Sequence, residues 1–184
     1  YRGALLVQLN EGRLQAINRL GVESYLPSVV GAEMPHQWPA EALRVQSVAA
    51  RTYALRQLRP GADYDLDSTQ RSQVYLGLES ETPSTRSAVA STRAQVLTHG
   101  SRLIEAVFHS SSGGRTENSG EIWRNQLPYL KSVPDFDQIS PVYRWSKPLD
   151  AEQLLEAFSE TGGAEQIEGV QRTSTGRLKR VAAN

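Results

Sequence analysis

Two prolines close together, Pro35 and Pro39, constrain the fold of this chain more than any other feature. Residues 22–32 carry apolar side chains at nearly helical spacing, and the residue before a proline avoids the α conformation, so a first helix is predicted to end just before Pro35. Pro39 suits the first turn of a second helix, because an N–H has no helical partner there. That helix is predicted to continue to about residue 58. Glu33 therefore falls at a helix–turn–helix corner.

The predicted fold class is α+β, with the helical pair packed on an antiparallel β-sheet or hairpins, in a single domain over residues 1–184. A turn at residues 10–12 separates two apolar runs, 4–9 and 13–18, and predicts a hairpin. The second helix is predicted to carry Ala42, Val45, Ala49 and Tyr53 on one face. The other predictions, in chain order, are a loop over 63–73, a strand near 74–76, a helix over 84–93, a hairpin over 96–108, a loop over 110–120, a strand over 128–133, a helix over 150–159 and a hairpin over 168–182.

The composition excludes several function classes. Basic and acidic residues are equal in number, 20 of each, so no overall field attracts nucleic acid or an anionic membrane. The basic residues near 172–180 are interpreted as a solvated strand face. Without cysteine, the chain has no disulfide, no thiol nucleophile and no cysteine-bound zinc. No apolar run is long enough to span a membrane.

Glu33 is the first candidate for chemistry. The carboxyl end of a helix carries partial negative charge, and Met34 and Trp38 would add apolar surroundings, so both effects favour a neutral carboxylic acid. A neutral acid is what general acid catalysis requires. The alternative is an ordinary solvated glutamate. Arg51, in the second helix, either pairs with Glu33 or clamps the two helices together through another carboxylate, and the sequence favours the clamp.

A loop rich in serine and glycine is the second candidate, and it contains His109, Ser111, Ser112, Gly113 and Gly114. It follows a strand that is predicted to be buried, and its two glycines permit backbone conformations that bring a loop close to a ligand. The loop is therefore predicted to hold polar groups of a ligand. A serine hydrolase is the alternative, but no Gly-x-Ser-x-Gly turn and no acid partner are identifiable. The three histidines are widely spaced, so no metal is expected, with His109 as the remaining candidate ligand.

Tyr129 and Lys131 are the third candidate, because alternation places both on one face of the strand predicted over 128–133. Together they would orient a sugar hydroxyl or bind a carboxylate. The alternative is an edge strand with a solubilising lysine. Flat aromatic faces that a ligand could lie against are offered by Trp38, Tyr75, Trp123 and Tyr129.

Eight short motifs occur in an order that resembles one family. They are Tyr25-Leu-Pro, Gly31-Ala-Glu-Met-Pro, Trp38-Pro-Ala-Glu-Ala-Leu, Ala49-Ala-Arg-Thr-Tyr53, Ser72-Gln-Val-Tyr-Leu-Gly77, Phe108-His-Ser-Ser-Ser-Gly-Gly114, Thr116-Glu-Asn118 and Pro128-Tyr-Leu-Lys-Ser-Val133. The ordered set, over about residues 15–135, closely resembles the stage II sporulation protein D family, which also includes amidase-enhancer proteins. Residues 136–184 are expected to be a truncated extension.

The resemblance implies a lytic transglycosylase that acts on peptidoglycan glycan strands, especially strands stripped of stem peptides, without a cofactor. Such enzymes cleave between N-acetylmuramic acid and N-acetylglucosamine without adding water, and they leave a 1,6-anhydro end. By motif, Glu33 is the catalytic acid. Arg51, Tyr129 and Lys131 match positions regarded as functionally important in the family, and they are expected to bind substrate. The other residues predicted to bind substrate are Trp38, Gln73, Tyr75, Ser111, Ser112, Gly113 and Gly114.

The resemblance also implies partners and a location. The expected partners are glycan strands and a cell-wall amidase, outside the cytoplasm, with any signal or anchor segment outside these residues. The alternative function is a non-catalytic, glycan-binding enhancer of an N-acetylmuramoyl-L-alanine amidase. This chain departs from the family in two ways: it lacks the cysteines that help some relatives hold zinc, and no Gly/His-rich segment follows Arg180.

Overall fold

The computed structural model describes residues 1–164 and 166–183, except for the side chain of Thr161. These residues form two compact units: unit 1, Tyr1–Phe108, and unit 2, which begins at His109. The single domain over residues 1–184 stays a prediction. Among the helices of the described residues, none combines the length and apolar character needed to cross a membrane.

The elements of unit 1 confirm the α+β class. In chain order they are β1 (Ala4–Asn10), β2 (Arg13–Arg19), α1 (Val22–Glu33), α2 (Ala40–Arg56), a 3-10 helix (Gly77–Ser80), α3 (Pro83–Ser91), β3 (Thr98–His99) and β4 (Arg102–Leu103). β1 pairs with β2 and β3 pairs with β4, both antiparallel, so the predicted hairpin at 4–18 is confirmed. The predicted helix over 84–93 is confirmed as α3.

The corner between α1 and α2 forms where the prolines predict it. Met34 leaves the helical conformation (φ −141°, ψ 138°), as expected for a residue before a proline, and α1 therefore ends at Glu33. Pro39 precedes the first residue of α2, Ala40. Within α1, the side chains that reach the core are fully buried: Leu26, Val29 and Val30.

The face of α2 that carries Val45 is not the face that the helix buries. Val45 is 68% exposed, whereas the helix buries a row of mostly small or polar side chains that includes Leu43, Ser47, Ala50, Arg51 and Ala54. Ser47 satisfies its own hydroxyl by donating to the Leu43 carbonyl over 2.7 Å. Because half of the buried row is polar, apolar periodicity points to the wrong side of the helix.

Arg51, in α2, links α2 to α1 and α3. Its guanidinium is 1% exposed and makes a bidentate pair with Glu23 of α1, Nε to Oε1 at 2.9 Å and Nη2 to Oε2 at 3.0 Å. It also donates to the carbonyls of Val89 in α3 (3.2 Å) and Gln95 (3.1 Å). Burial alone would raise the pKa of Glu23, but the hydrogen bonds and charge of Arg51 outweigh burial and lower it.

Two strands predicted in unit 1 do not form as predicted. Near 74–76 the backbone N–H groups bond to side chains of α1, Val74 to Glu33 (2.9 Å) and Leu76 to Ser28 (3.1 Å), so they are not free to pair with a strand. The strand over 102–108 is also much shorter than predicted, since β4 ends at Leu103. Ala106 is buried, whereas Val107 is 40% exposed and Leu103, Ile104 and Phe108 are half-buried, so the segment is less buried than predicted.

Unit 2 contains α4 (Ser119–Ile122), α5 (Ala151–Ala157), a 3-10 helix (Ser159–Thr161), β5 (Ile167–Arg172) and β6 (Leu178–Ala183). The predictions of a helix over 150–159 and a hairpin over 168–182 are confirmed. The strand over 128–133 is wrong, because side chains take its N–H groups: Asn118 accepts from Ser132 and Thr116 from Val133, each at 2.9 Å.

Removing the charge of Arg51 tests its place in the core. Arg51→Met leaves Glu23 without its partner and two carbonyls without a donor, and we expect the free energy of unfolding of unit 1 to fall by about 3 kcal/mol. The measurement is urea unfolding followed by Trp38 fluorescence, in a background in which Trp123 and Trp145 of unit 2 are replaced by Phe. Arg44→Met, on the exposed side of α2, is the matched control and should cost less than about 1 kcal/mol. Equal losses in the two variants would contradict the clamp.

Candidate active site

Glu33 stands at the corner of unit 1 with one carboxyl oxygen held. The residue is exposed, and its Oε1 accepts the backbone N–H of Val74 over 2.9 Å. Within the described residues, Oε2 accepts no hydrogen bond. The carboxyl group is therefore oriented by one donor and keeps one oxygen open to a ligand.

The Val74 N–H is fixed by the two buried residues on either side of it. Gln73 is fully buried: its Oε1 accepts from the Tyr25 hydroxyl (3.2 Å) and its Nε2 donates to the Ala50 carbonyl (3.3 Å). Burial raises the pKa of Tyr25, so this hydroxyl stays protonated and donates. Tyr75, 9% exposed, donates to Asn18 over 2.7 Å. Gln73 and Tyr75 support Glu33 from beneath, and their predicted direct contact with a glycan finds no support in these positions.

Arg51 pairs with Glu23, and among the described residues Glu33 is not one of its partners. The guanidinium is enclosed by α1, α2 and α3, so Arg51 clamps the helices together, as the sequence favours, and is not accessible to a ligand. The substrate-binding role that the resemblance implies for Arg51 therefore has no support in its position. Trp38 differs, because it is 49% exposed and lies in the turn that follows Glu33 and the end of α1, with its backbone N–H bonded to the Pro35 carbonyl over 3.0 Å.

The serine–glycine loop of unit 2 encloses a carboxylate of its own chain. Asp137 accepts the N–H groups of Ser112 (2.7 Å), Gly113 (2.9 Å) and Gly114 (2.8 Å), and also the Ser111 hydroxyl. Both glycines have positive φ, 72° and 98°, which turns successive N–H groups towards one point. The predicted cradle for polar groups is real, but Asp137 fills it, and the expected glycan contact of these four residues finds no support here.

The hydrogen bonds of this loop lower the pKa of Asp137 to about 2, the Ser111 hydroxyl being the largest cause and the three N–H groups adding to it. Sequence reasoning missed Asp137. A Gly-Gly pair of this kind binds anions, and that signal could have directed attention to the acidic residues that follow 128–133. The Ser112 hydroxyl donates to Asp135 over 2.7 Å, as the Ser111 hydroxyl donates to Asp137. Both hydroxyls are therefore bonded to aspartates, and the serine hydrolase alternative is not supported.

A second carboxylate, Glu117, anchors the turn between β5 and β6. It accepts from Thr173 (2.7 Å), Thr175 and Arg177 (3.3 Å). Burial alone would raise the pKa of Glu117, but these hydrogen bonds lower it to about 2. Arg177 also donates to the carbonyls of Ser112 and Arg115. The interpretation of residues 172–180 as a solvated face is thus wrong for Arg177. Through Arg177, the hairpin of β5 and β6 contacts the serine–glycine loop and supports it.

The remaining predicted residues of unit 2 are dispersed. Lys131 is exposed and Tyr129 half-buried, but without a strand nothing places them on one face. Trp123 is 50% exposed and His109 is exposed. Among the described residues, no cluster of histidine, aspartate and glutamate could hold a metal ion.

Comparison with known proteins gives the class of this chain. The family described as "Stage II sporulation protein" matches residues 10–99. Stage II sporulation protein D of Bacillus subtilis (strain 168) is 34% identical over 76% of this chain and 46% of its own length. The protein of the same name from Bacillus amyloliquefaciens is 37% identical over 70% of this chain and 42% of its own length. The amidase enhancer of Bacillus subtilis (strain 168) is 39% identical over 70% of this chain and 17% of its own length.

The chain belongs to the stage II sporulation protein D family, whose matched region contains Glu33, Arg51 and the 73–75 segment. It spans less than half the length of these relatives.

The pH dependence of stability tests the Asp137 contacts. The pKa of Asp137 is depressed in the fold, so its contribution is complete above its ordinary value of 3.8 and is lost as pH falls towards 2. We expect Asp137→Asn to be less stable than wild type at pH 6, with the difference shrinking as pH falls below 4. The measurement is urea unfolding followed by Trp123 and Trp145 in a Trp38→Phe background. Glu152→Gln, exposed on α5, should behave as wild type. An Asp137→Asn profile parallel to that of wild type would show that the hydrogen bonds accepted by Asp137 do not stabilise the fold.

Proposed function

We propose that this chain is a lytic transglycosylase of peptidoglycan, which cleaves between N-acetylmuramic acid and N-acetylglucosamine and leaves a 1,6-anhydro end. The observation that carries the proposal is Glu33: an exposed carboxyl group at the end of α1, oriented by the Val74 N–H and with its second oxygen open. The helices that present it are held by a buried ion pair, so its position is fixed before substrate arrives.

One carboxyl group is sufficient for this reaction. Neutral Glu33 gives its proton to the glycosidic oxygen as the bond from that oxygen to C1 of the muramic acid breaks. The C6 hydroxyl of the same sugar then bonds to C1, and its proton goes to the Glu33 carboxylate, which restores the acid. Most glycosidases use two carboxyl groups because a water or an enzyme nucleophile must attack. Here the nucleophile belongs to the substrate, and its proximity replaces the second group.

The substrate we propose is a glycan strand stripped of stem peptides, with a cell-wall amidase as the enzyme that strips it, outside the cytoplasm. The names of the relatives, a sporulation protein and an amidase enhancer, support this setting. The part of Tyr129 and Lys131 in glycan binding rests on the sequence motif alone.

A second function is favoured by one observation, the 39% identity to an amidase enhancer. In that case the chain would bind glycan strands and stimulate a separate amidase without cleaving the strands. The two functions differ in one product, the 1,6-anhydro end, which only the transglycosylase makes.

Replacing Glu33 with Gln tests the proposal. Because the amide cannot donate a proton as an acid does, we expect the release of anhydromuramic products from denuded strands to fall at least about a hundredfold, while strands are still retained in a pull-down. The measurement is mass spectrometry of the soluble products.

Glu79→Gln, an exposed glutamate of the 3-10 helix, is the matched control and should cleave at the wild-type rate. Unchanged cleavage by Glu33→Gln would overturn the assignment. A wild-type chain that releases no anhydro product but raises the rate of an added amidase would establish the enhancer function instead.

A further inference from the structure

A small pocket lies beside the corner of unit 1, between the start of α2 and α3. Its volume is about 210 Å³, which at ~30 Å³ per water corresponds to about seven waters. That is below the ~300–1,000 Å³ of sites for drug-sized ligands, so the pocket has room for one ring and its substituents rather than a whole oligosaccharide. We propose that it binds one N-acetylmuramic acid residue of a glycan strand, next to the sugar that Glu33 attacks. This inference rests on the proposed function, because it takes a glycan as the ligand.

The apolar lining of the pocket fits an acetamido methyl group. Leu43 of α2 and Ala88 of α3 both line it and are nearly buried, 2% and 4% exposed, so they form its floor. A methyl group that displaces water from this floor gains the free energy of apolar burial. A free amine at the same position would be charged, and it would lose its hydration without finding a partner on an apolar surface.

Two serine hydroxyls of α3 complement the amide of the same substituent. Ser84 donates its only proton to the His36 carbonyl over 3.0 Å, and its oxygen accepts from the Thr82 hydroxyl at 2.9 Å. The second lone pair of this oxygen can accept from a ligand, as an amide N–H requires. Ser87 is exposed, and its side-chain hydroxyl makes no hydrogen bond among the described residues. This hydroxyl can therefore donate to an amide carbonyl. One acceptor and one donor thus flank the apolar floor.

Trp38 forms the wall of the pocket. Its ring is 49% exposed although it is the largest apolar side chain of the corner, and its indole N–H has no acceptor among the described residues. A sugar presents C–H groups on one face and hydroxyls at its edge, which suits an aromatic ring that has an apolar face and one polar edge.

Arg44 selects the sugar. It lines the pocket from α2, and its present partner, Glu41, is an exposed neighbour on the same helix. An exposed ion pair of this kind contributes little to stability, so the guanidinium can exchange Glu41 for a ligand carboxylate at little cost in free energy. Muramic acid carries a lactyl carboxylate, which glucosamine lacks, and this carboxylate is free only where no stem peptide is attached. Arg44 would therefore favour stripped strands.

The distance to Glu33 is compatible with adjacent sugars. Trp38 follows Glu33 by five residues, so their Cα atoms lie at most ~18 Å apart even if the chain were fully extended. The turn from Pro35 to Trp38, closed by a 3.0 Å hydrogen bond, shortens that span. Both positions belong to unit 1.

The test is a fluorescence titration in which Trp38 is the only tryptophan, with Trp123→Phe, Trp145→Phe and Glu33→Gln to prevent cleavage. The probe is a denuded tetrasaccharide of alternating N-acetylglucosamine and N-acetylmuramic acid. We expect it to change Trp38 emission, and we expect the de-N-acetylated tetrasaccharide to bind at least about tenfold more weakly. Chitotetraose, which has acetyl groups but no carboxylate, should also bind more weakly, and Arg44→Gln should abolish that difference.

Ser87→Phe fills the pocket from an exposed position and should weaken binding at least about tenfold. Ala90→Phe, exposed on the same helix but outside the pocket, should bind as the parent does. The inference is overturned if Trp38 does not respond, if the de-N-acetylated probe binds equally well, or if the two Phe variants bind equally.

Failure of this inference is distinguishable from failure of the proposed function. If Ser87→Phe with Glu33 intact cleaves at the wild-type rate and Trp38 emission does not change with the probe, the pocket is not a glycan site, but the transglycosylase proposal stands. A specific Trp38 response without any anhydro product from the wild-type chain would leave the pocket as a glycan site and remove the reaction.

Discussion

The buried ion pair between Arg51 and Glu23 is the interaction on which the rest of unit 1 depends. A guanidinium taken out of water is destabilising unless its five N–H donors find acceptors. Here Glu23, the carbonyls of Val89 and Gln95, and at 3.5 Å the Ser47 carbonyl and the Thr92 hydroxyl accept them. The pair fixes α1 against α2, and α3 against both. Since Glu33 is the last residue of α1, the position of the proposed acid follows from this pair, even though Arg51 does not contact it.

Polar groups whose hydrogen bonds are satisfied also hold the loops of both units. Val74 reaches Glu33 because Gln73 and Tyr75, on either side of it, are buried with their polar atoms satisfied. In unit 2, the carboxylates of Asp137 and Glu117 collect backbone N–H groups and hydroxyls from segments that have no regular secondary structure. Polar networks rather than extended sheets hold these loops, because among the described residues each sheet has only two strands.

Local rules of the chain predict the corner and the hairpins over 4–18 and 168–182 well, whereas the hairpin over 96–108 is much shorter than predicted. Two prolines give the end of α1 and the start of α2, and turn residues give the hairpins, because these signals act within a few residues. The partners of buried polar groups are a different matter: Glu23 and Arg51 are 28 positions apart, and Asp137 lies 23 to 26 positions from its donors. No local pattern encodes such pairs. The family motif marks Gln73, Tyr75 and Arg51, but the sequence could not separate a ligand contact from a support beneath the site.

The central claim is that Glu33 cleaves a glycan strand without the participation of water. The most direct measurement is mass spectrometry of the products formed from denuded strands in water enriched in oxygen-18. We expect muramic ends in the 1,6-anhydro form that contain no heavy oxygen, because the C6 hydroxyl of the substrate is the nucleophile. Heavy oxygen at C1 of the released muramic acid would show attack by water and would rule out the transglycosylase reaction.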